Sequence, residues 1–515
     1  MRRRLAVVFA LACVPAMCAV ARAEWAPPDL RTTKAAQADV LAAYASAEGT
    51  PDPRFAERRE RWTYVNGPRR IPVQVTVRGD DFRATLTLGR AQYAGGRSAG
   101  VRWRADANAV THATLADDQG DAADRLPQSV FPFALRDCTL AGESDRFGHA
   151  WVLADRPPRD KPHWFYVDKA SGTIAHEVTR EGGRTIVTSF DRFEPLGRAH
   201  RPRHWRVSDG DAANDLEVTV DTIEPQPLAE IDVAIPQVPR LFAPASRPPN
   251  GVMVLPTRFR ARTIFVEVDV DGRRGDFVLD TGTASITLDR GLAERRGWTP
   301  VLEHATVPKL TVGALMLSDA STLTLPLARG WGSMVGILGY DFFRGHVVHI
   351  DYARERVEVL TEDAAAPVFS DPRSFVMNAY VDEGLPLISA SLAGAVGERF
   401  ALDTGSPHLY VLAPFAGRNA KLIASRWTPS QFRNGRVTER ARYLEGSILV
   451  AARRVAEFTL GPLRILDVTV GVEERNDFTD SIDIPLDGII GTDHMAAFEW
   501  WFDYENGRIA VRRNR

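Results

Sequence analysis

The sequence predicts a mainly β protein in which two similar lobes follow an α+β domain that contains an antiparallel sheet. Three observations support this prediction. Many segments alternate between apolar and polar residues, as half-buried strands do. The carboxyl-terminal half of the chain contains the same series of short motifs twice, in the same order, which indicates an internal duplication. Proline-rich stretches separate the blocks and favour domain boundaries there.

Composition limits the function before any motif is considered. The chain has 515 residues, of which 44% are hydrophobic and 25% are charged, and its formal net charge is -2. These values are ordinary for a soluble globular protein of about three domains. Because basic residues are not in excess, we expect no nucleic-acid partner. The three cysteines are too few for a disulfide framework or a cysteine-based zinc site.

The first residues have the pattern of an export signal. Three arginines at 2–4 precede an apolar run at 5–12, and Ala21-Arg22-Ala23 is a small-residue cleavage site, which predicts a signal peptide over 1–23. A buried amino-terminal helix is the alternative, and the three arginines argue against it. No other stretch approaches the roughly 18 apolar residues that cross a bilayer. We therefore expect an exported protein, periplasmic or extracellular, with no integral membrane segment after signal cleavage.

Residues 24–240 predict the α+β domain. A helix is expected from Thr33 to Glu48, with Thr33 as its cap and Gly49 as its end. Alternating segments follow, such as 73–77 and 82–88 around a turn at 78–81, and they predict an antiparallel sheet. This order of a helix followed by many strands resembles the lipoprotein-carrier-like half-barrels. The resemblance implies contact with the cell envelope or with a lipoprotein.

Four further segments follow from the proline-rich breaks and from the duplication. We expect a linker at 241–256, a first lobe at 257–362, a second linker at 363–372 and a second lobe at 373–515.

Each lobe contains the same two landmarks. An apolar strand ends in Asp-Thr-Gly followed by a hydroxyl residue, and an apolar pair followed by glycine comes later in the chain. The landmarks are Asp280-Thr281-Gly282-Thr283 with Ile337-Leu338-Gly339 in the first lobe, and Asp403-Thr404-Gly405-Ser406 with Ile489-Ile490-Gly491 in the second.

These landmarks resemble those of the retropepsin-like aspartic peptidases, in which two Asp-Thr-Gly loops meet across a twofold axis. Here both loops lie on one chain. The resemblance implies two β-barrel lobes of an aspartic protease, related by a pseudo-twofold axis within a monomer. It covers roughly the second half of the chain.

The same resemblance implies an aspartic-type endopeptidase that acts on polypeptides without a metal or a cofactor. Two adjacent carboxyl groups cannot both ionise, so Asp280 and Asp403 would share a proton and activate a water molecule. Gly282 and Gly405 let each backbone turn and donate an N–H group to its carboxylate. The family pattern assigns Thr281 and Thr404 to bonds across the lobes. It assigns Thr283 and Ser406 to hydroxyl bonds with the outer carboxylate oxygens.

Several alternatives stay open. The protein could be a non-catalytic peptide-, lipid- or lipoprotein-binding envelope protein with a decayed protease fold, in which the two aspartates are only turn residues. Asp341 and Asp493 could be further carboxylates of the site, although we expect helix N-caps. The second lobe is longer around 420–456, where either a flap or a surface loop is expected. His408 either tunes the carboxylate pair or faces solvent.

Overall fold

A computed structural model describes residues 29–514 of the chain. The predicted signal peptide, residues 1–23, lies outside the described residues. Within 29–514 the description omits 68, 89–90, 106–107, 109–110, 115–134, 136–137, 155–162, 182–183, 211, 213–214, 237–241, 245–247, 299–303, 328–333, 383, 430–437, 444–445, 475–477 and 480–484.

The chain divides into two compact units, residues 1–237 and 238–515. Both are built mainly from strands, which confirms the prediction of a mainly β protein. None of the described helices is long and apolar enough to cross a membrane.

The first unit combines one helix with one extended sheet. Its described elements are α1 (Gln37–Glu48), β1 (Gly49–Pro51), β2 (Glu57–Asn66), β3 (Arg69–Arg78), β4 (Asp81–Leu88), β5 (Ala91–Ser98), β6 (Val101–Ala105), β7 (Thr111–Thr114), β8 (Thr139–Ser144), β9 (Ala150–Ala154), β10 (Trp164–Asp168), β11 (Ile174–Glu181), β12 (Arg184–Ser208) and β13 (Leu216–Pro225).

Helix α1 begins later than the sequence predicted. Its N-cap is Ala36, which provides no side-chain cap, while the Thr33 hydroxyl accepts a hydrogen bond from the N–H of Ala35 before the helix begins. The prediction that Thr33 caps the helix was therefore wrong. The predicted end is correct, because Gly49 follows the last turn with a φ of 72°. Val40 and Tyr44 are buried on one face of the helix.

In the described part of the first unit, thirteen strands form the sheet. Strands β2 to β7 pair in sequence order, strands β8 to β13 do the same, and the β2–β13 pair joins the two series. Neighbouring strands are antiparallel throughout, as short chain connections require. The interior residues of this sheet include Trp62, Tyr64 and Trp205, all of them buried.

The second unit contains the duplicated segments. Its described elements are β14 (Ala243–Pro244), β15 (Val252–Val254), β16 (Thr257–Arg260), β17 (Thr263–Val270), β18 (Arg273–Leu279), β19 (Thr287–Asp289), α2 (Arg290–Arg295), β20 (His304–Val312), β21 (Leu315–Leu325), β22 (Met334–Leu338), α3 (Tyr340–Phe343), β23 (Val347–Asp351), β24 (Arg356–Leu360), α4 (Glu362–Ser370), β25 (Phe375–Asn378), β26 (Tyr380–Asp382), β27 (Leu385–Leu392), β28 (Ala395–Leu402), β29 (Tyr410–Val411), α5 (Ala413–Arg418), α6 (Ala420–Arg426), β30 (Thr428–Pro429), β31 (Thr438–Tyr443), β32 (Gly446–Leu460), β33 (Leu463–Glu473), β34 (Gly488–Ile490), α7 (Thr492–Met495), β35 (Phe498–Asp503) and β36 (Arg508–Arg513).

The two lobes repeat one topology. In the first lobe the hairpin β17–β18 leads to Asp280, and β18 runs parallel to β22. In the second lobe the hairpin β27–β28 leads to Asp403, and β28 runs parallel to β34. The short strand β19 runs antiparallel to β22 and parallel to β21. In the second lobe, β29 runs antiparallel to β34 and parallel to β33. The duplication seen in the sequence is therefore also a duplication of strand order.

A six-stranded sheet joins the lobes. Its order is β15-β24-β23-β35-β36-β25, so each lobe provides a hairpin and the β23–β35 pair lies at the centre. Helix α4 occupies most of the segment 363–372. The residues that line this sheet are apolar and buried, among them Val347, Leu360 and Trp501.

Candidate active site

Both aspartates of the duplicated motif lie at the end of a buried strand. Asp280 directly follows β18, and its N–H donates a hydrogen bond of 2.9 Å to the carbonyl of Leu338 in the apolar-Gly segment. Asp403 follows β28, and its N–H donates to the carbonyl of Ile490 at 3.0 Å. The two parallel strand pairs thus hold the two loops by the same bond.

Each carboxylate accepts hydrogen bonds from its own loop. The N–H of Gly282 donates to Asp280 Oδ1 at 2.8 Å, and the Thr283 hydroxyl donates to Asp280 Oδ2 at 2.9 Å. Asp403 Oδ1 accepts from the N–H of Gly405 at 2.8 Å and from the N–H of Ser406 at 2.9 Å. These donors favour the ionised form of each carboxyl group.

The Ser406 hydroxyl differs in detail from that of Thr283. It donates to the carbonyl of His408 at a distance of 3.5 Å, whereas the Thr283 hydroxyl is directed at the carboxylate. The backbone of Ser406 makes the described contact with Asp403.

The two carboxyl groups meet across the lobes. A Cβ placed on Gly282 would lie 2.6 Å from the carboxylate of Asp403, and one on Gly405 would lie 2.5 Å from that of Asp280. Glycine is therefore required at both positions, because any side chain would push the opposite carboxylate away. The Asp403 carboxyl group is also a hydrogen-bond partner of Asp280.

Burial raises the pKa of Asp280 above its ordinary value. Hydrogen bonds from Gly282, Thr283, Asp403 and Gly405 act in the opposite direction and are weaker than the effect of burial. Two adjacent carboxyl groups in a buried site retain a shared proton to higher pH than an exposed aspartate does. The pair therefore contains both an acid and a base at mildly acidic pH.

The threonines of the two loops bond reciprocally across the lobes. The Thr281 hydroxyl donates to the carbonyl of Leu402 at 2.7 Å and accepts from the N–H of Thr404 at 3.0 Å. The Thr404 hydroxyl donates to the carbonyl of Leu279 at 2.8 Å and accepts from the N–H of Thr281 at 3.0 Å. Both threonines are buried, so these four bonds fix the spacing of the loops.

The expectation that Asp341 and Asp493 are N-caps was wrong. The caps of α3 and α7 are Gly339 and Gly491, and each aspartate lies two residues after the cap, within the first turn of its helix. A Cβ on Gly339 would lie 2.2 Å from the carbonyl oxygen of Thr283, so the close approach of the loop requires glycine at the cap.

Instead, the two aspartates have different partners. Asp341 is fully buried and accepts a hydrogen bond of 3.0 Å from the N–H of Ile286. Asp493 is partly exposed, and its carboxylate bonds to His408 Nδ1 at 2.6 Å and to Arg262. His408 is itself half exposed.

Two tyrosines near the pair were not selected from the sequence. Tyr352 and Tyr504 each follow the aspartate that ends a central strand of the six-stranded sheet, and both are buried. Burial, and then the charge of Asp403, raises the pKa of Tyr352. Burial, together with Tyr340 and both aspartates, raises the pKa of Tyr504. The Asp-Tyr dipeptide repeated in the two final hairpins is the signal that identifies them.

The longer part of the second lobe folds in part as a hairpin. Strand β31 pairs antiparallel with β32 from Thr438 opposite Ala451 to Tyr443 opposite Gly446. The helices α5 and α6 precede it. The structure thus provides an additional hairpin in the second lobe, at the place where the sequence left open a flap or a surface loop.

Among the described residues, no three histidine, cysteine, aspartate or glutamate side chains are grouped so as to hold a metal ion. The described cysteine, Cys138, is buried and does not belong to a disulfide.

No family model matches the chain, and no curated protein matches it. Among solved structures, the aspartic proteinase of Irpex lacteus is similar at 13% identity and a TM-score of 0.33, over 51% of this chain and 97% of that one. The basic 7S globulin of soybean is similar at 10% identity and a TM-score of 0.32, over 52% of this chain and 97% of that one. A LolA-superfamily protein of Nitrosomonas europaea is similar at 11% identity and a TM-score of 0.30, over 38% of this chain and 97% of that one. All three similarities are weak.

Proposed function

We propose that the second unit is an aspartic-type endopeptidase that uses Asp280 and Asp403 to hydrolyse peptide bonds. The observation that carries this proposal is the meeting of the two carboxyl groups, each within van der Waals reach of the glycine of the opposite loop. A pair of turn aspartates without a catalytic role would not need four reciprocal threonine bonds to fix its spacing.

The chemistry follows from the shared proton. The ionised carboxylate removes a proton from a water molecule, whose oxygen attacks the carbonyl carbon of the scissile bond. The protonated carboxyl group donates to the carbonyl oxygen, and a neutral tetrahedral diol forms. Collapse of the diol breaks the C–N bond, returns a proton to the leaving amine and restores the pair. No covalent bond to the protein forms, and the two aspartates exchange roles during the cycle.

The pH dependence follows from the same pair. Because burial raises the pKa of Asp280, the shared proton is retained at higher pH than for an ordinary aspartate. Activity requires one protonated and one ionised carboxyl group, so we expect an optimum on the acidic side of neutral. Activity should fall as the pH rises and the pair loses its shared proton.

We also propose that the protein is exported and that the first unit contacts an envelope component or a lipoprotein. Support for export is the basic and then apolar amino-terminal segment. Support for a separate role of the first unit is its own compact fold with its own sheet.

The test is cleavage of an unbiased peptide mixture by the full chain between pH 3 and pH 8, read by mass spectrometry. Wild type is compared with Asp280→Asn, Asp403→Asn and the control Asp467→Asn, whose exposed carboxylate pairs with Arg454 on the second lobe. We expect at least a hundredfold loss in both loop variants and full activity in the control.

Two outcomes contradict the proposal. Cleavage that persists in either loop variant would remove the carboxylate pair from the mechanism. A folded wild-type protein that binds peptides from the mixture without cleaving them at any pH would instead favour the binding-protein alternative.

A further inference from the structure

The first turn of each lobe reaches the other lobe. Gly384 directly precedes β27, and a Cβ on it would lie 3.0 Å from the Cα of Ala284 and the Cβ of Tyr340 in the first lobe. Arg262 directly precedes β17, in the corresponding place, and pairs with Asp493 in the second lobe. One of these two contacts is close packing, and the other is an ion pair.

Asp493 is the centre of a three-residue cluster. Its Oδ1 accepts from Arg262, and its Oδ2 bonds to His408 Nδ1 at 2.6 Å. One carboxylate thus joins a cation of the first lobe to a histidine that lies five residues after Asp403. We call Arg262, Asp493 and His408 the interlobe clasp.

The clasp is continuous with the loop that holds Asp403. The N–H of Asp493 donates to the carbonyl of Pro407 at 2.9 Å, and the N–H of Thr492 donates to the carbonyl of Ser406 at 2.8 Å. The N–H of Ser406 in turn donates to Asp403 Oδ1 at 2.9 Å. Displacement of α7 would therefore displace a donor of the Asp403 carboxylate.

We propose that the interlobe clasp positions the Asp403 loop against Asp280, and that protonation of His408 makes this positioning dependent on pH. The inference rests on the proposed peptidase function. The three residues are positioning residues, because none of them contacts the carboxylate pair through a described bond.

The groups around His408 set the sign of the effect. It faces Asp493 and His494 of α7, Arg262 beyond Asp493, and the ring of Tyr410 of β29, whose centroid lies 6.0 Å away. The hydrogen bond from His408, and then the charges of His408 and Arg262, lower the pKa of Asp493. Burial lowers the pKa of His494 to about 4. At mildly acidic pH Asp493 is therefore ionised and His494 neutral, so a protonated His408 faces an ionised carboxylate beside a neutral histidine.

Protonated His408 and Arg262 then both bond to one carboxylate. When His408 loses its proton, its bond to Asp493 is no longer charge-assisted, and Arg262 remains the charged partner of that carboxylate. In the corresponding place of the first lobe, the described bond of the buried Asp341 is to a backbone N–H group and not to a histidine.

The activity test compares Arg262→Gln, Arg262→Lys and His408→Gln with the control Arg258→Gln. Arg258 has an exposure similar to that of Arg262, but its partner Asp276 lies within the first lobe. We expect kcat to fall about fivefold in Arg262→Gln and His408→Gln, as loss of one partly exposed ion pair suggests, with KM within about twofold. Arg262→Lys should recover part of the loss. The pH profile of kcat should lose the inflection that His408 contributes in His408→Gln.

A second test does not need activity. The carboxyl carbon of Asp403 is followed by NMR across the titration of His408 in wild type, Arg262→Gln and His408→Gln, using the full chain. We expect its chemical shift to follow the His408 titration in wild type and to lose that step in His408→Gln. Asp493→Asn should lower the pKa of His408, because the carboxylate that favours the protonated imidazole is gone.

The two tests separate the inference from the proposed function. A wild-type protein that cleaves nothing, but whose Asp403 signal follows His408, would contradict the peptidase proposal and retain the clasp. A peptidase in which Arg262→Gln and His408→Gln match Arg258→Gln at every pH, with an Asp403 signal indifferent to His408, would overturn the clasp.

Discussion

The two lobes hold equivalent aspartates with equivalent backbone bonds, yet they attach the surrounding loops by different means. In the first lobe, Asp341 is buried and satisfies the N–H of Ile286, and the opposite lobe contributes the closely packed Gly384. In the second lobe, the matching Asp493 is partly exposed and binds the side chains of Arg262 and His408. The two lobes thus share the geometry of the two carboxyl groups more closely than they share the contacts of Asp341 and Asp493, which support the neighbouring loops.

The difference teaches where a duplicated chain is free to diverge. The loops that meet at the centre constrain one another, because each glycine leaves room for the carboxylate of the other lobe. The residues that support the two loops from outside face different surroundings, so each set can change alone. The following predictions test this comparison, starting with positions where the lobes should behave alike.

Gly282→Ala and Gly405→Ala should have the largest effects, and these should be equal. Each new methyl group would occupy space within 2.6 Å of the opposite carboxylate, so we expect at least a hundredfold loss of kcat. We also expect a destabilisation of about 1 to 3 kcal/mol from overpacking. Peptide cleavage and urea unfolding measure the two effects. Gly417→Ala is the control, because a Cβ there meets nothing within 4 Å. Unequal losses of kcat in the two variants would show that the two Asp-Thr-Gly loops are not equivalent.

Thr281→Val and Thr404→Val should each lower the free energy of unfolding of the second unit by about 2 to 4 kcal/mol. Each removes a hydroxyl that donates one bond and accepts another across the lobes, and leaves buried groups unpaired. The double variant should cost less than the sum, because the same interface is lost twice. Chemical denaturation checks this, with Thr311→Val on β20 as a matched control. If the losses of unfolding free energy were additive, the bonds of the two threonines would not depend on each other.

Asp341→Ala and Asp493→Ala should differ, since here the lobes are not equivalent. The first change leaves the N–H of Ile286 unpaired in the core and should cost about 1 to 3 kcal/mol. The second removes partly exposed bonds and should cost less than about 1 kcal/mol. Thermal unfolding at pH 7 ranks the two, and Asp467→Ala on the second lobe provides the value for a surface pair. Equal losses of stability would show that Asp341 and Asp493 stabilise their lobes to a similar extent despite their different contacts.

Asp280→Asn should raise the melting temperature at pH 7 by a few °C, the smallest effect of the series. The buried carboxyl has a raised pKa, so its contribution to stability is fully present below the unfolded pKa of about 3.9 and is lost as the pH rises through the folded pKa. A neutral amide avoids that loss. The gain over wild type should shrink at pH 3.5. A gain that is the same at both pH values would mean that burial of the charge is not its cause.

The sequence reveals the centre of the site because the centre is encoded locally. Three or four consecutive residues, Asp280 to Thr283 and Asp403 to Ser406, supply both carboxylates and most of their donors. Duplication then predicts that two such loops belong together. The mainly β fold follows for a similar reason, because alternation of apolar residues is a local pattern.

The contacts that support the two loops join residues that are distant in the sequence, and the predictions for them were wrong or absent. The N-cap assignment of Asp341 and Asp493 missed that a close approach of the neighbouring loop reserves the cap for glycine. Thr33 was assigned as a cap on residue type alone, although α1 begins at Gln37. Arg262 and Asp493 are far apart in the sequence, and their pairing depends on how the lobes meet, which no spacing of residues reveals.

The six-stranded sheet also determines at which point of its synthesis the second unit can finish folding. Strand β23 has β24 on one side, but its other edge is filled only by β35, Phe498–Asp503. A ribosome adds roughly 5 to 20 residues each second, so a growing chain exposes that apolar edge for on the order of ten seconds before its partner is made. During this interval the first lobe is a template for pairing with other extended chains. The carbonyl of Ile490, which bonds to the N–H of Asp403, belongs to the same late stretch of the chain, so the loop of Asp403 also lacks this bond until shortly before β35 is made.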